Sequence, residues 1–240
     1  MYPPPVAPAK APPGPPSEGP KGFDPGSRSR LGPRDLGRFP GDSLFDRIGR
    51  AVAEADCLPR KELYESWEVA RRMRRRFRGG RVVDLAAGHG LVAHLALILD
   101  ASSPSALAVD LHLPESHRAL AASLARTWPR LAGRVTYVEA SLEEVALAAD
   151  DVVVSAHACG ALTDRILERA IAARARVAVL PCCHDVETCD LGGLGGWLDP
   201  ALAIDATRAA RLRAAGYRVH TQTIPEAITP KNRLLLGEPA

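Results

Sequence analysis

The chain has 240 residues, of which 46% are apolar, and its formal net charge is +3, so it is long enough for one domain with a real core. No stretch approaches about eighteen consecutive apolar residues, and the N-terminus lacks the pattern of a signal peptide. These features exclude a membrane span and favour a cytoplasmic protein. The five cysteines, an odd number without a secretory signal, indicate reduced thiols rather than disulfides.

The first 80 residues divide into a tail and a helical extension. Residues 1–41 contain twelve of the 21 prolines and almost no apolar periodicity, which predicts a disordered tail. Over 42–80, Asp42 or Ser43 suits the cap of one helix and Pro59 the first turn of a second. Apolar residues recur at three- and four-residue steps in the second helix, so one face is expected to pack against the following domain.

The far end of the second helix is rich in arginine. Six arginines lie within eight residues there. This is more than is needed to offset the helix dipole and to keep the helix face solvated. Because arginine binds phosphate bidentately, this end is a candidate RNA contact, with a solvated face as the alternative. The residues concerned are Arg71, Arg72, Arg74, Arg75, Arg76 and Arg78.

From residue 81 to 240 the pattern alternates between strands and helices, which predicts a mostly parallel sheet covered on both faces. The last two strands have no helix between them, so we expect them to pair as an antiparallel hairpin. Strands are predicted at 81–85, 106–110, 134–138, 151–155, 176–180, 217–224 and 233–237, and helices at 91–100, 114–127, 141–149, 161–173 and 200–215.

The first strand runs into a glycine turn and then an apolar helix. Gly88 and Gly90 permit backbone conformations that are closed to other residues, and the helix after them offers free N–H groups. Such a turn typically cradles a nucleotide-like cofactor, and Asp110 at the end of the next strand suits a ribose diol. With Ala93 the turn also fits G-x-G-x-x-A, the dinucleotide pattern, so a nicotinamide-dependent oxidoreductase is one alternative. Asp84 favours a cationic ligand, because a carboxylate facing the cofactor would repel a pyrophosphate.

At these residues the chain resembles the class I S-adenosylmethionine-dependent methyltransferases, whose motif VDLGxGxG stands here as VDLAAGHG with Ala86 in place of the first glycine. The resemblance implies a Rossmann-like, seven-stranded, mostly parallel sheet with an antiparallel terminal hairpin and helices on both faces. It also implies S-adenosyl-L-methionine as cofactor and an adenine contact near Ser141. Ser141 is also suited to a capping box with Glu144.

Two histidine–cysteine stretches follow the fourth and fifth strands, where catalytic groups of open α/β sheets gather. HACGALTD and PCCH resemble a methyltransferase-like subfamily that includes the eukaryotic tRNA acceptor-stem 2′-O-methyltransferases, although the Cys/His zinc modules of those enzymes are absent from this sequence. The resemblance covers about 61–239 and implies methyl transfer to RNA. His157 is the first candidate for a general base, Asp164 is expected to orient it, and His184 is the competing base.

Other interpretations of these residues stay open. Cys159 and Cys182 occupy roughly the places of the cysteines in RNA cytosine-5 methyltransferases, where a thiolate adds to the ring, but the surrounding signatures of those enzymes are absent. A metal site is not expected, because vicinal cysteines rarely chelate one ion and no Cys-x-x-Cys spacing occurs. A small-molecule or protein methyltransferase and a non-catalytic binding module with the same fold are further alternatives.

Overall fold

The computed structural model describes residues 23–240, and its centre is a seven-stranded sheet in the order β3-β2-β1-β4-β5-β7-β6. Strands β1 to β5 are parallel, and β7 enters antiparallel between β5 and β6. The predicted Rossmann-like sheet with its terminal hairpin is thereby confirmed. The strands are β1 Val82–Leu85, β2 Ala106–Asp110, β3 Val135–Glu139, β4 Val152–Ser155, β5 Arg176–Val179, β6 Tyr217–Thr223 and β7 Arg233–Pro239.

Helices cover both faces of the sheet because its central strands are apolar on both sides. Alternate residues of β1 and β4 point into two separate cores: Val82 and Val152 belong to one, and Val83 and Val153 to the other. The first core contains helices α1 to α4, and the second contains α5 and α6. The helices are α1 Leu44–Ala55, α2 Arg60–Arg76, α3 Leu91–Leu99, α4 His117–Thr127, α5 Ala161–Ala173 and α6 Pro200–Ala214.

The segment before α1 corrects part of the predicted tail. Residues 1–22 of the tail lie outside the described residues, whereas residues 23–41 are packed on the domain. Leu31 and Phe39 are buried in the first core, and the Phe23 ring contacts that of Phe39 edge to face. A few well-placed apolar side chains therefore anchor a segment whose average composition resembles that of a disordered chain.

The predicted helix over 141–149 is wrong. The chain forms only a short 3-10 turn, Leu142–Glu144, before it enters β4. Ser141 and Glu144 close the capping box, since one Glu144 carboxylate oxygen accepts from the Ser141 N–H and hydroxyl at 2.7 and 2.8 Å. Downstream, Asp151 accepts from the Ala148 N–H and so favours a turn at the position where the helix was expected.

Within residues 23–240, no helix combines the length and the apolar composition that a membrane crossing requires.

Candidate functional site

The glycine turn after β1 is built from three residues with positive φ, which are Ala86 at 56°, Gly88 at 52° and Gly90 at 73°. Gly90 is packed, because a Cβ there would lie 2.8 Å from the Tyr137 ring. Gly88 differs, since a Cβ there would meet no atom within 4 Å among the described residues. The backbone at Gly88 therefore borders open space, while Ala86 holds a conformation that normally favours glycine.

Asp84 lies near the end of β1, just before this turn, and its predicted contact with the cofactor stays a prediction. Its side chain is only 1% exposed, and Oδ2 accepts a hydrogen bond from the Ala93 N–H at 3.1 Å. Ala93 lies in the first turn of α3, so Asp84 satisfies an N–H that the helix leaves without an internal partner. Burial raises the pKa of Asp84 well above its usual range, against the lowering effect of the Ala93 hydrogen bond. Asp84 thus links the first turn of α3 to β1 and thereby holds the glycine turn between them in place.

Asp110 lies at the end of β2 beside the turn. Its Oδ2 accepts from the Gly88 N–H at 2.8 Å, whereas Oδ1 has only a long contact of 3.5 Å with the His112 N–H. One carboxylate oxygen thus positions the turn, and the other retains capacity to accept further hydrogen bonds. The next residue, Leu111, is 64% exposed and adds an apolar surface that the sequence reasoning missed. Its position directly after the strand-end acid could have indicated an apolar surface beside the turn.

Ser141, the predicted adenine contact, lies after β3 on the same side of the sheet. Its hydroxyl and N–H both bond to Glu144, as described above. Glu144 is exposed, and these two hydrogen bonds lower the pKa of its carboxyl. The described role of Ser141 is therefore that of a cap, and contact with a cofactor stays a prediction.

His157 follows β4, the strand next to β1, and is partly buried. Its Nε2 is buried and has no hydrogen-bond partner within the described part of the chain. Asp164 does not orient it, which corrects the prediction. The Asp164 carboxylate instead accepts from Arg208 at 2.7 and 3.1 Å, so its charge is committed to a fully buried guanidinium.

His184, the competing base, has a carboxylate partner that the sequence reasoning did not identify. Its Nε2 lies 2.8 Å from Oδ1 of Asp205 on α6, and its side chain is 3% exposed. Asp205 also accepts from Arg233 at 2.6 Å. Burial would raise the pKa of Asp205, but the hydrogen bonds from His184 and Arg233 lower it overall. The i, i+3 spacing of Asp205 and Arg208 on a largely apolar helix could have indicated that this helix contributes charged partners to the site.

Three cysteines meet where β4 and β5 end. The Sγ atoms of Cys159 and Cys182 are 2.9 Å apart, those of Cys182 and Cys183 are 3.8 Å apart, and all three lie within 4.8 Å of one another. Burial is the main cause that raises the pKa of Cys182 above its usual range, and it also raises that of Cys159. Burial thus opposes thiolate formation at Cys182, which argues against Cys182 as a bare nucleophile.

The arginine-rich end of α2 is largely engaged within the protein. Arg74 is 1% exposed and bonds to Ser103 and main-chain carbonyls, so it is removed from the predicted RNA contact. Arg71 and Arg72 pair with the buried Glu68. The three that remain exposed are Arg75, Arg76, which bonds to His220, and Arg78, which bonds to the Leu99 carbonyl.

The sheet order, the terminal hairpin and the glycine turn at the carboxyl end of β1 define a Rossmann-like α/β fold. Residues 61–188, just over half of the chain, match the family model described as a methyltransferase domain, and the chain belongs to that family. A search of curated protein sequences found no significant match.

Two solved structures share the fold. An O-methyltransferase family protein from Burkholderia thailandensis has a TM-score of 0.51 and 20% identity, covering 86% of this chain and 63% of its own. A Nostoc punctiforme protein assigned as an O-methyltransferase has a TM-score of 0.50 and 16% identity, covering 80% of this chain and 59% of its own. This chain thus spans less than two thirds of the length of either protein, and the likeness concerns the fold.

Proposed function

We propose that this protein is an S-adenosyl-L-methionine-dependent methyltransferase. The observation that carries the proposal is the Gly88–Asp110 pair, in which open space borders the Gly88 backbone and one Asp110 oxygen has spare acceptor capacity. These groups fit the cofactor: Gly88 would lie against its amino-acid part, Asp110 would accept from the ribose hydroxyls, and the exposed Leu111 would cover the adenine. When bound, the sulfonium supplies an electrophilic methyl group.

The choice of cofactor no longer depends on the charge of Asp84. Since Asp84 is buried and its pKa is raised, its carboxylate is a poor basis for excluding a pyrophosphate. The antiparallel insertion of β7 and the family match favour the methyl donor, because a nicotinamide-dependent dehydrogenase would be expected to continue with a further crossover helix.

His157 is the group that we propose as general base for the acceptor. It follows the strand adjacent to β1, and its buried Nε2 is free to accept a proton because it has no partner within residues 23–240. His184 bonds to Asp205 through Nε2, so we assign it to holding the loop after β5. Asp164 supports the same region through Arg208.

RNA is the acceptor class that we propose, supported by the exposed part of the arginine-rich helix end. Arg75, Arg76 and Arg78 present positive charge to solvent, and arginine suits phosphate recognition. The likeness of the HACGALTD and PCCH stretches to tRNA methyltransferases stays a prediction. A small-molecule or protein acceptor is the outcome that would replace RNA.

Two measurements test the proposal. Calorimetry should show that S-adenosylhomocysteine binds and that NADH does not; the reverse result would reject the methyl donor. Incubation with labelled S-adenosyl-L-methionine and separate RNA, protein and small-molecule pools should then place the label in RNA. The His157→Ala variant should transfer the label at least about a hundredfold more slowly while retaining cofactor affinity. The control Glu168→Gln, which alters an exposed side chain on α5, should transfer at the wild-type rate.

The RNA part has its own test. Replacing Arg75 and Arg78 by alanine should weaken RNA binding and reduce its dependence on salt concentration, because fewer phosphate contacts release fewer counterions. The affinity for S-adenosylhomocysteine should stay unchanged. Arg118→Ala, which removes an exposed arginine from α4, is the control. Label found only in protein or small molecules would contradict RNA as acceptor and leave the cofactor assignment intact.

A further inference from the structure

The cysteine cluster defined by Cys159, Cys182 and Cys183 is assembled by the backbone. Cys159 and Cys183 form an isolated parallel bridge beyond the ends of β4 and β5, and the Gly160 N–H donates to the Cys183 carbonyl at 3.3 Å. This bridge holds the two loops side by side, so that one sulfur comes from the first loop and two come from the second. All three cysteines are free, two of them exposed and Cys182 partly buried.

The spacing of the sulfurs is compatible with a shared ion. Thiolates bound tetrahedrally at about 2.3 Å from zinc stand roughly 3.8 Å from one another. The Cys182–Cys183 separation is 3.8 Å, the Cys159–Cys182 separation is 2.9 Å, and no pair exceeds 4.8 Å. Shifts of about an ångström in side-chain position would therefore place the three sulfurs at equal distances from one ion.

We propose that Cys159, Cys182 and Cys183 bind one thiophilic metal ion of the zinc class through three thiolates. Because Cys159 and Cys183 are exposed, the fourth coordination position is open to solvent, as in zinc sites that are not purely structural. Binding exchanges protons for the ion: each thiol that becomes a ligand releases one proton, and no electron is transferred.

The surroundings explain why a cation is needed to stabilise the thiolates. The carbonyl oxygens of His157 and Ala158 lie 3.8 and 3.7 Å from the Cys182 sulfur. The His157 carbonyl oxygen also lies 3.6 Å from the Cys159 sulfur. These oxygens suit S–H donors and oppose uncompensated negative charge. An ion of charge +2 reverses that balance by neutralising the thiolates. The vicinal pair Cys182–Cys183, which the sequence reasoning counted against a metal site, becomes useful because Cys159 supplies the third sulfur.

A disulfide between Cys159 and Cys182 is the competing state. It would use two of the three sulfurs and leave the third without a function, whereas one ion uses all three. The two states are distinguishable in protein purified without reductant, because in denaturant with chelator a disulfide still lowers the count of titratable thiols and a bound ion does not.

The test uses the reduced, chelator-treated full chain and Zn²⁺ alone, titrated against a chromophoric chelator. We expect one ion per chain, and Cys159→Ser, Cys182→Ser and Cys183→Ser should each weaken binding by at least about tenfold. Cys57→Ser is the matched control and should bind like the wild type. Co²⁺ in place of Zn²⁺ should give a thiolate charge-transfer band that decreases in each of the three variants.

Three results would overturn the metal site. They are failure of the wild type to bind Zn²⁺ at micromolar concentration, binding that survives all three substitutions, and a Cys159–Cys182 disulfide in protein from which no ion is recovered. Thermal denaturation of each variant checks that it is folded. The inference does not rest on methyl transfer, and titration of the same samples with S-adenosylhomocysteine keeps the two proposals separate.

Discussion

Removal of the Asp110 carboxylate should weaken the cofactor affinity more than any other single change at the turn. Asp110 bonds to the Gly88 N–H at 2.8 Å and has one oxygen with spare capacity for a ribose hydroxyl. A hydrogen bond to a charged group contributes about 1.5–3 kcal/mol. Since about 1.4 kcal/mol corresponds to a factor of ten, Asp110→Ala should raise the Kd for S-adenosylhomocysteine roughly ten- to a hundredfold. Asp110→Asn keeps one acceptor oxygen and should lose about tenfold.

The assay is isothermal titration calorimetry with S-adenosylhomocysteine on the wild type, both Asp110 variants and Glu168→Gln. Glu168 is an exposed carboxylate on α5, so this control removes one negative charge without touching the turn. Thermal melts confirm that each variant is folded. If Asp110→Ala binds within about twofold of the wild type, the carboxylate does not accept from the ribose and the site assignment is refuted.

Three further changes probe how the turn is held. Asp84→Ala should lower the free energy of unfolding by about 2 kcal/mol and the melting temperature by about 4–8 °C, because it strands the Ala93 N–H, whereas Asp84→Asn should stay within about 1 kcal/mol of the wild type. Equal melts for the two variants would contradict the capping role. Ala86→Gly should stabilise the protein by about 0.5–1 kcal/mol, since relief of a positive φ exceeds the gain in unfolded-chain entropy, and a lower melting temperature would contradict this. Burial lowers the pKa of His94 from 6.5 to about 4, so the unfolded chain binds a proton that the folded chain excludes, and stability should fall by about 3 kcal/mol between pH 6.5 and 4. His94→Gln should remove that part of the pH dependence in denaturant titrations, and an unchanged slope would show that His94 is accessible to protons.

The sheet was predictable because its signals are local. Runs of β-branched residues, glycine turns and amphipathic helices each act within a few residues, and their alternation leaves few topologies. The position of Asp110 was predictable for the same reason, since the end of a strand lies beside the glycine turn. The helix over 141–149 failed where a side chain competed with the backbone, as Asp151 did at the Ala148 N–H.

The partners of the site residues were not predictable, because they are chosen between elements that are distant in sequence. Asp164 is 44 residues from Arg208, and His184 is 21 residues from Asp205. The sequence shows that each charge exists, but only packing of α6 on the sheet decides which charges meet. The Ala93 partner of Asp84 was not predictable for a related reason: a strand-end acid can bond to several neighbouring N–H groups, and the choice depends on how closely α3 approaches.

The two ends of the sheet constrain what kind of RNA could be an acceptor. Gly88 and His157 follow strands and Asp110 ends one, so all three lie at carboxyl ends. The Arg78 carbonyl instead accepts from Arg176 at the amino end of β5. A strand of four residues spans about 13 Å, so one nucleotide cannot reach both ends. If the arginines bind the acceptor, methylation of a long RNA should fall in the Arg75 and Arg78 variants, while methylation of a short oligonucleotide should not. Equal loss on both substrates would mean that the arginines act through stability rather than through RNA contact.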